Sequence, residues 1–354
     1  MAIISSSSYS VHLGKSAFKA VNQYLRKQKP SSVFILCDEN TLQHCLPILV
    51  RACPLMADAE IIEIEAGEQS KSLDISALIW QTLIENGADR QSLLVNLGGG
   101  VVSDLGAFCA SIYKRGIPYI TIPTSLLAMV DASVGSKTGI DFMELKNILG
   151  TFAPPKGVFI FPDFLQTLPD REKKNGLAEV YKMALVQSAS LWKQLRQLNT
   201  LNIPESILAK SITLKNTVVK KDPFDQHLRQ ILNFGHSIGH AIESVYLRTQ
   251  QPLLHGEAVV CGMIMESHLA WQQKRLNKSQ IDEITHALCT HLHPRDLSAL
   301  SGKEMLKALE HDKKNTAGQF RFSLLEGIGK CGYQQKVNEK QIERAVAYYH
   351  TLFA

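Results

Sequence analysis

No stretch of this 354-residue chain approaches the ~18 consecutive apolar residues that a membrane-spanning helix requires. Nor do its first ten residues, Met1 to Ser10, place a basic segment before an apolar one, so neither insertion nor secretion is expected. Paired cysteines of the C-x-x-C kind are missing as well. The seven cysteines, at 37, 45, 53, 109, 261, 289 and 331, form an odd set that indicates neither a disulfide framework nor a thiolate zinc site. A reducing cytoplasm is the corresponding expectation. Basic residues come only in short clusters, such as Arg171-Glu172-Lys173-Lys174, Lys220-Lys221 and Lys313-Lys314, and the net charge is a modest +5, which argues against a nucleic-acid-binding face. There is no internal repeat, and low complexity is confined to the serines at 5 to 8.

What is present is the composition of a globular protein, 45% hydrophobic and 20% charged, with enough length for two domains that each bury a core. Up to about residue 165, short apolar runs alternate with helix-like stretches, which predicts an α/β domain with a mostly parallel sheet. The predicted strands are 33–37, 60–64, 92–96, 119–122 and 158–161. After Pro169 long amphipathic segments follow one another, and only 320–325 reads as a strand. The expected division is therefore 1–168, an α/β domain, and 169–354, a mainly α-helical one.

Two local patterns carry chemistry. Leu94-Val95-Asn96-Leu97 leads through Gly98-Gly99-Gly100 into a helix-like 101–115, the strand, glycine turn and helix order that sets phosphate against the N–H groups of a helix N-terminus. This is not the G-x-G-x-x-G fingerprint, and a tight turn with positive φ needs glycine for its own reasons. Asp38, ending the first predicted strand, could accept hydrogen bonds from a ribose. Downstream, Glu179 in A-E-V-Y-K, His236 in N-F-G-H-S-I-G-H and His255 in L-L-H-G-E-A supply one carboxylate and two imidazoles. That is a recurring ligand set for a catalytic Zn²⁺ with an open position. Two ambiguities stay open from spacing alone: His236 and His240 would share a helix face and could bind one metal together, and Glu179 with Lys182 could be an ordinary i,i+3 ion pair.

Over essentially its full length the chain resembles the 3-dehydroquinate synthases, members of the sugar phosphate cyclases. The matching stretches are A-G-E-Q-S-K-S at 66–72, G-G-G-V-V-S-D-L at 98–105, R-G at 115–116, P-T-S-L-L-A-M-V-D-A-S-V-G-S-K-T-G-I at 123–140, K-N at 146–147, L-P-D-R-E at 168–172, G-L-A-E-V-Y-K at 176–182, L-R-Q-I-L-N-F-G-H-S-I-G-H-A-I-E at 228–243 and L-H-G-E-A-V at 254–259. The resemblance implies a Rossmann-like NAD-binding domain followed by a helical metal-binding domain. It assigns NAD to Asp38, Glu68, Lys71, Gly99, Gly100, Asp104, Thr124, Ser125, Leu127, Asp131, Lys137, Lys146, Phe164, Thr167, Leu168 and Glu172. The metal, Zn²⁺ or Co²⁺, goes to Glu179, His236 and His255. Substrate contacts fall to Arg115, Asp131, Lys137, Lys146, Asn147, Lys182, Lys215, Arg229, Asn233, His240 and the Lys313-Lys314 pair. Arg115 would reach into the partner subunit's site, which implies a homodimer. Ser103 and Ser136 stand where glycine is usual, Ser125 replaces a threonine, and Asp222-Pro223 replaces an Asp-Glu pair.

The implied reaction turns 3-deoxy-D-arabino-heptulosonate 7-phosphate into 3-dehydroquinate and phosphate, through transient oxidation by NAD⁺, β-elimination of phosphate, re-reduction and an intramolecular aldol closure. Such a substrate carries about three negative charges, given a second phosphate pKa of about 6. The lysines and Arg229 answer that charge, and Arg229 suits a bidentate carboxylate contact. A cyclitol-forming relative and a metal-dependent polyol dehydrogenase are the competing readings.

Overall fold

In the computed structural model the residues described are 2–143, 145–246, 252–310 and 320–354. They divide into two compact units, one made of Met1–Lys173 with Pro204–Pro223, the other of Lys174–Ile203 with Phe224–Ala354. A single boundary near residue 168 would give the helix Glu205–Lys221 to the second unit, whereas it packs within the first. Its amphipathic pattern is satisfied by any apolar face, so the sequence does not say which one it covers.

The first unit is built on a seven-stranded sheet of β1 (Ala2–Ser5), β2 (Ser10–Leu13), β3 (Val33–Asp38), β4 (Glu60–Ile64), β5 (Leu93–Gly98), β6 (Tyr119–Pro123) and β9 (Val158–Ile160), in the order β1-β2-β9-β6-β5-β3-β4. All neighbours are parallel except β1 with β2. β5 is buried along its whole length, which explains the unbroken apolar run by which it was read. Phe34, Leu36, Ile62, Leu94, Leu105 and Phe108 form part of the core between the sheet and the helices Leu73–Glu85 and Gly100–Ile112. From β3 the chain moves outward to β4, and from β5 it moves the other way to β6. The carboxyl ends of β3 and β5 therefore flank a topological switch point, where open α/β sheets take ligands. Asp38 ends β3 and Gly98 ends β5. A two-stranded hairpin, β7 (Ile140–Phe142) with β8 (Leu145–Leu149), follows the turn after β6.

The second unit is mainly helical, with one antiparallel hairpin of β10 (Phe320–Gly327) and β11 (Lys330–Val337). Its central helix, His255–Gln272, is buried from Ala258 to Ala270, and it is apolar nearly all round, as an enclosed helix must be. Against it lies His236–Tyr246, and glycine sets how closely. A Cβ on Gly262 would stand 2.0 Å from the Gly235 carbonyl oxygen and 2.8 Å from the Gly239 nitrogen, both backbone atoms. The buried Glu266 side chain accepts the N–H groups of Gly235 at 2.6 Å and Ile238 at 3.0 Å, capping the first turn of the shorter helix. Gly262→Ala should force the two backbones apart and cost ~1–3 kcal/mol as an overpacked core does. Urea unfolding checks this, and an unchanged midpoint would contradict the close approach.

Candidate active site

His236 and His255 are each the first residue of a helix, and the crossing at Gly235 and Gly262 sets those two beginnings side by side, with ring centroids 5.2 Å apart. The helix Asp170–Gln187 brings Glu179 to the same place. Its Oε1 lies 3.5 Å from His236 Nε2 and 3.6 Å from His255 Nε2. Asn175, one turn earlier, accepts the Gly256 N–H at 2.6 Å, which ties the start of the central helix to the helix bearing Glu179. Glu179 is buried, and neither carboxylate oxygen has a hydrogen bond, although the Lys182 ammonium makes a close ion pair with it. The i,i+3 pair foreseen from spacing thus exists, but inside the protein and beside two imidazoles.

Burial pushes the Glu179 carboxyl up, yet Lys182 and His255 outweigh it and hold the pKa at about 2. Burial, with Lys182 adding to it, keeps His236 well below the ordinary imidazole range. Burial also disfavours charge on His255, but contacts with Glu179 and Glu243 prevail and raise it to about 10. An ionised carboxylate without hydrogen bonds, facing two Nε2 atoms, is a donor set that a divalent cation would complete. His240 is exposed, its ring centroid 5.3 Å from that of His236, and it forms with Glu243 and His255 a second group able to hold a metal.

In the first unit, Gly98, Gly99 and Gly100 all lie outside the left-handed region, so positive φ is not what requires them. A Cβ on Gly98 would strike Val102 at 2.5 Å, whereas at Gly99 and Gly100 it would meet only Ser125 Oγ at 3.4 Å and Ala132 Cβ at 3.8 Å. Packing therefore explains the first glycine. The other two leave backbone N–H groups open to a phosphate at the helix start. Thr124 donates its N–H to the Gly98 carbonyl at 3.0 Å, Ser125 Oγ accepts from the Ala128 N–H at 3.2 Å, and Leu127 is half-buried in the following turn. Asp38 caps the helix Glu39–His44, with Oδ1 taking the Thr41 N–H at 2.8 Å. Phe164 is a core residue, its ring packed against Phe161 and Phe18, with Thr167, Leu168 and Glu172 following it more openly.

Lys71 joins this region together: its buried ammonium lies 2.7 Å from Asp104 Oδ2 and 2.6 Å from Asn147 Oδ1. Burial disfavours that ammonium, but the Asp104 and Glu68 carboxylates outweigh it and raise its pKa. Asn147 has φ of 52° and donates its N–H to Asp141 Oδ1 at 2.7 Å, while Lys146 sits 3.9 Å from Glu68. Asp131 lies in a π-helical turn and receives Lys215 on both Oδ1 and its carbonyl, each at 2.7 Å. Lys137 is exposed and bridges to Phe152. Ser136 before it has φ of 60°, a conformation that favours the glycine it replaces. Arg229, buried, and Asn233 share a 3-10 helix in the second unit, so Lys215 and Arg229 belong to different units. Lys313 and Lys314 lie outside the described residues.

Sequence reading passed over Asn175, Glu243 and Glu266. The signal for Glu243 was available, because it stands seven residues after His236 and three after His240, on the same helix face.

A family profile described as 3-dehydroquinate synthase, N-terminal, matches residues 61–175, and one described as 3-dehydroquinate synthase, C-terminal, matches 176–315. A 3-dehydroquinate synthase of Parabacteroides distasonis is 37% identical over 94% of this chain and 95% of its own length. One of Enterococcus faecalis is 37% identical over 92% of each. Among solved structures, 2-epi-5-epi-valiolone synthase of Streptomyces hygroscopicus with NAD⁺ and Zn²⁺ bound superposes with a TM-score of 0.85 at 28% identity, covering 99% of both chains. A 2-deoxy-scyllo-inosose synthase complexed with carbaglucose-6-phosphate, NAD⁺ and Co²⁺ gives 0.88 at 23% identity, over 98% of this chain and 99% of that one, a likeness of fold.

Lys71→Met would leave Asp104 without its cation and release Asn147. Breaking a buried pair costs ~3–5 kcal/mol, and Asp104 keeps some access to solvent, so a loss near 3 kcal/mol is expected from denaturant unfolding. Unchanged stability would contradict the bridge.

Proposed function

Because the chain belongs to the 3-dehydroquinate synthase family, we propose that it converts 3-deoxy-D-arabino-heptulosonate 7-phosphate into 3-dehydroquinate and phosphate, as an NAD- and metal-dependent carbon-oxygen lyase. The observation that carries this reading is the buried Glu179 carboxylate, free of hydrogen bonds and faced by the Nε2 atoms of His236 and His255. The two open glycine positions at the switch point support NAD. When bound, the metal, Zn²⁺ or Co²⁺, would supply polarisation of a substrate hydroxyl and NAD a hydride acceptor that is regenerated in each turnover.

The chain's own residues then have definite tasks. Gly99 and Gly100 take a phosphate of the dinucleotide on backbone N–H groups, and Asp38 takes the ribose. Lys182 neutralises Glu179 and holds positive charge beside the metal ligands. By the family resemblance the substrate contacts include Lys137, Lys146 and His240, with Lys215 and Arg229 for its carboxylate, to which Arg229 offers a planar fork.

A homodimer fits two features of the first unit. Lys114 and Arg115 have φ of 49° and 67°, two strained residues in succession that present Arg115 at the surface. Nearby in sequence, the β7–β8 hairpin and its flank expose Phe142, Met143, Leu145 and Phe152, apolar surface of the kind that partner chains cover. A cytoplasmic location fits seven free cysteines.

Metal-free protein should release no phosphate from the heptulosonate phosphate, and Zn²⁺ or Co²⁺ with NAD⁺ should restore release without accumulation of NADH. Sedoheptulose 7-phosphate, lacking the carboxylate, should be ignored. Stoichiometric NADH would point to a dehydrogenase, and equal use of sedoheptulose 7-phosphate to a cyclitol-forming activity.

A further inference from the structure

His255 stands between two carboxylates. Its Nε2 faces Glu179 Oε1 at 3.6 Å, and its Nδ1 faces Glu243 Oε2 at 3.5 Å. His236 is arranged in the same sense, with Nε2 toward Glu179 and Nδ1 3.2 Å from the Phe234 carbonyl oxygen. Each imidazole therefore turns one nitrogen to the shared carboxylate and the other to an acceptor. A carbonyl oxygen can only accept, so His236 must carry its proton on Nδ1 and leave Nε2 bare. At His255 the corresponding acceptor is a side chain, from a buried residue of the helix His236–Tyr246.

We infer that Glu243 is a positioning residue for the metal centre: by accepting the Nδ1 proton of His255, it fixes the ring orientation and the tautomer in which Nε2 can bind the ion. The inference rests on the metal site proposed above and assigns Glu243 no contact with the ion itself. It also accounts for the second group of potential ligands, His240, Glu243 and His255, because His255 belongs to the first centre and Glu243 is its outer partner rather than a ligand of a second one. Outer partners of ligating histidines orient the ring and raise its basicity, and their loss commonly weakens metal binding 10–100-fold.

Titration of metal-free protein with Co²⁺, read by visible absorption, separates the possibilities. The unsubstituted protein should bind one equivalent and Glu179→Ala should bind far more weakly; failure of either would remove the metal site itself. Given that site, Glu243→Ala should keep the one-equivalent stoichiometry but bind Co²⁺ 10–100-fold more weakly, with NAD⁺ affinity unmoved. Glu243→Gln, which still offers a carbonyl acceptor, should recover most of that loss. Unaltered affinity in Glu243→Ala, no recovery in Glu243→Gln, or two equivalents falling to one would each overturn the inference. Should Glu243→Ala fail to fold, long-range ¹H–¹⁵N correlation on the unsubstituted zinc-loaded protein decides. The inference requires His255 to be protonated at Nδ1, and a bare or metal-bound Nδ1 would refute it.

Discussion

The close crossing of two helices, backbone against backbone at Gly235 and Gly262, is the constraint on which the metal-binding unit depends. Two imidazoles can share one ion only if their helices start within a few ångströms of each other, and side chains at the crossing would hold those starts apart. Glycine at 239 and 262 removes that obstruction. Glu266 then satisfies the N–H groups exposed at Gly235 and Ile238, and Asn175 does the same for Gly256. Burying Glu179 and Lys182 beside two half-buried imidazoles costs solvation, and the surrounding backbone N–H groups are met by this layer of side-chain acceptors.

The first unit solves a different problem, that of leaving backbone uncovered at one point along the ends of an open, largely buried sheet. Strand order reverses between β3 and β5, and there the chain places an aspartate and three glycines. Two of those glycines are dictated by neither positive φ nor a close contact among the described residues. Lys71 links Asp104, on the helix that follows, to Asn147 on β8, so the glycine turn's helix and the β7–β8 hairpin share one buried cation.

The strands that the sequence displays best are the interior β3, β5, β6 and β9, together with the edge strand β4, which buries Ile62 and Ile64 while exposing Glu60 and Glu63. β3, β4, β5, β6 and β9 are short apolar runs bounded by polar residues, and each appears within two residues of its predicted place. β1, at the sheet edge, and β2 beside it are four residues each, flank the serines at 5 to 8, and alternate in burial, so neither presents a long apolar run. β7 and β8 expose most of their residues and show no alternation to read. β10 was visible through Phe320 and Phe322, but β11 was not, because Lys330–Val337 is largely polar. The metal trio was legible because its residue types are chemically distinctive. The helix face that Glu243 shares with His236 and His240 was visible too, but its partner was not, because such a glutamate reads equally well as solvated surface until the facing His255 is seen.

The central claim is that one ion is held by one carboxylate and two imidazoles. X-ray absorption at the cobalt edge of the Co²⁺-loaded protein tests it most directly. The account predicts two histidine ligands with oxygen completing the shell, and loss of one histidine in His255→Ala. Three histidines, which would bring in His240, or any sulfur ligand would contradict it.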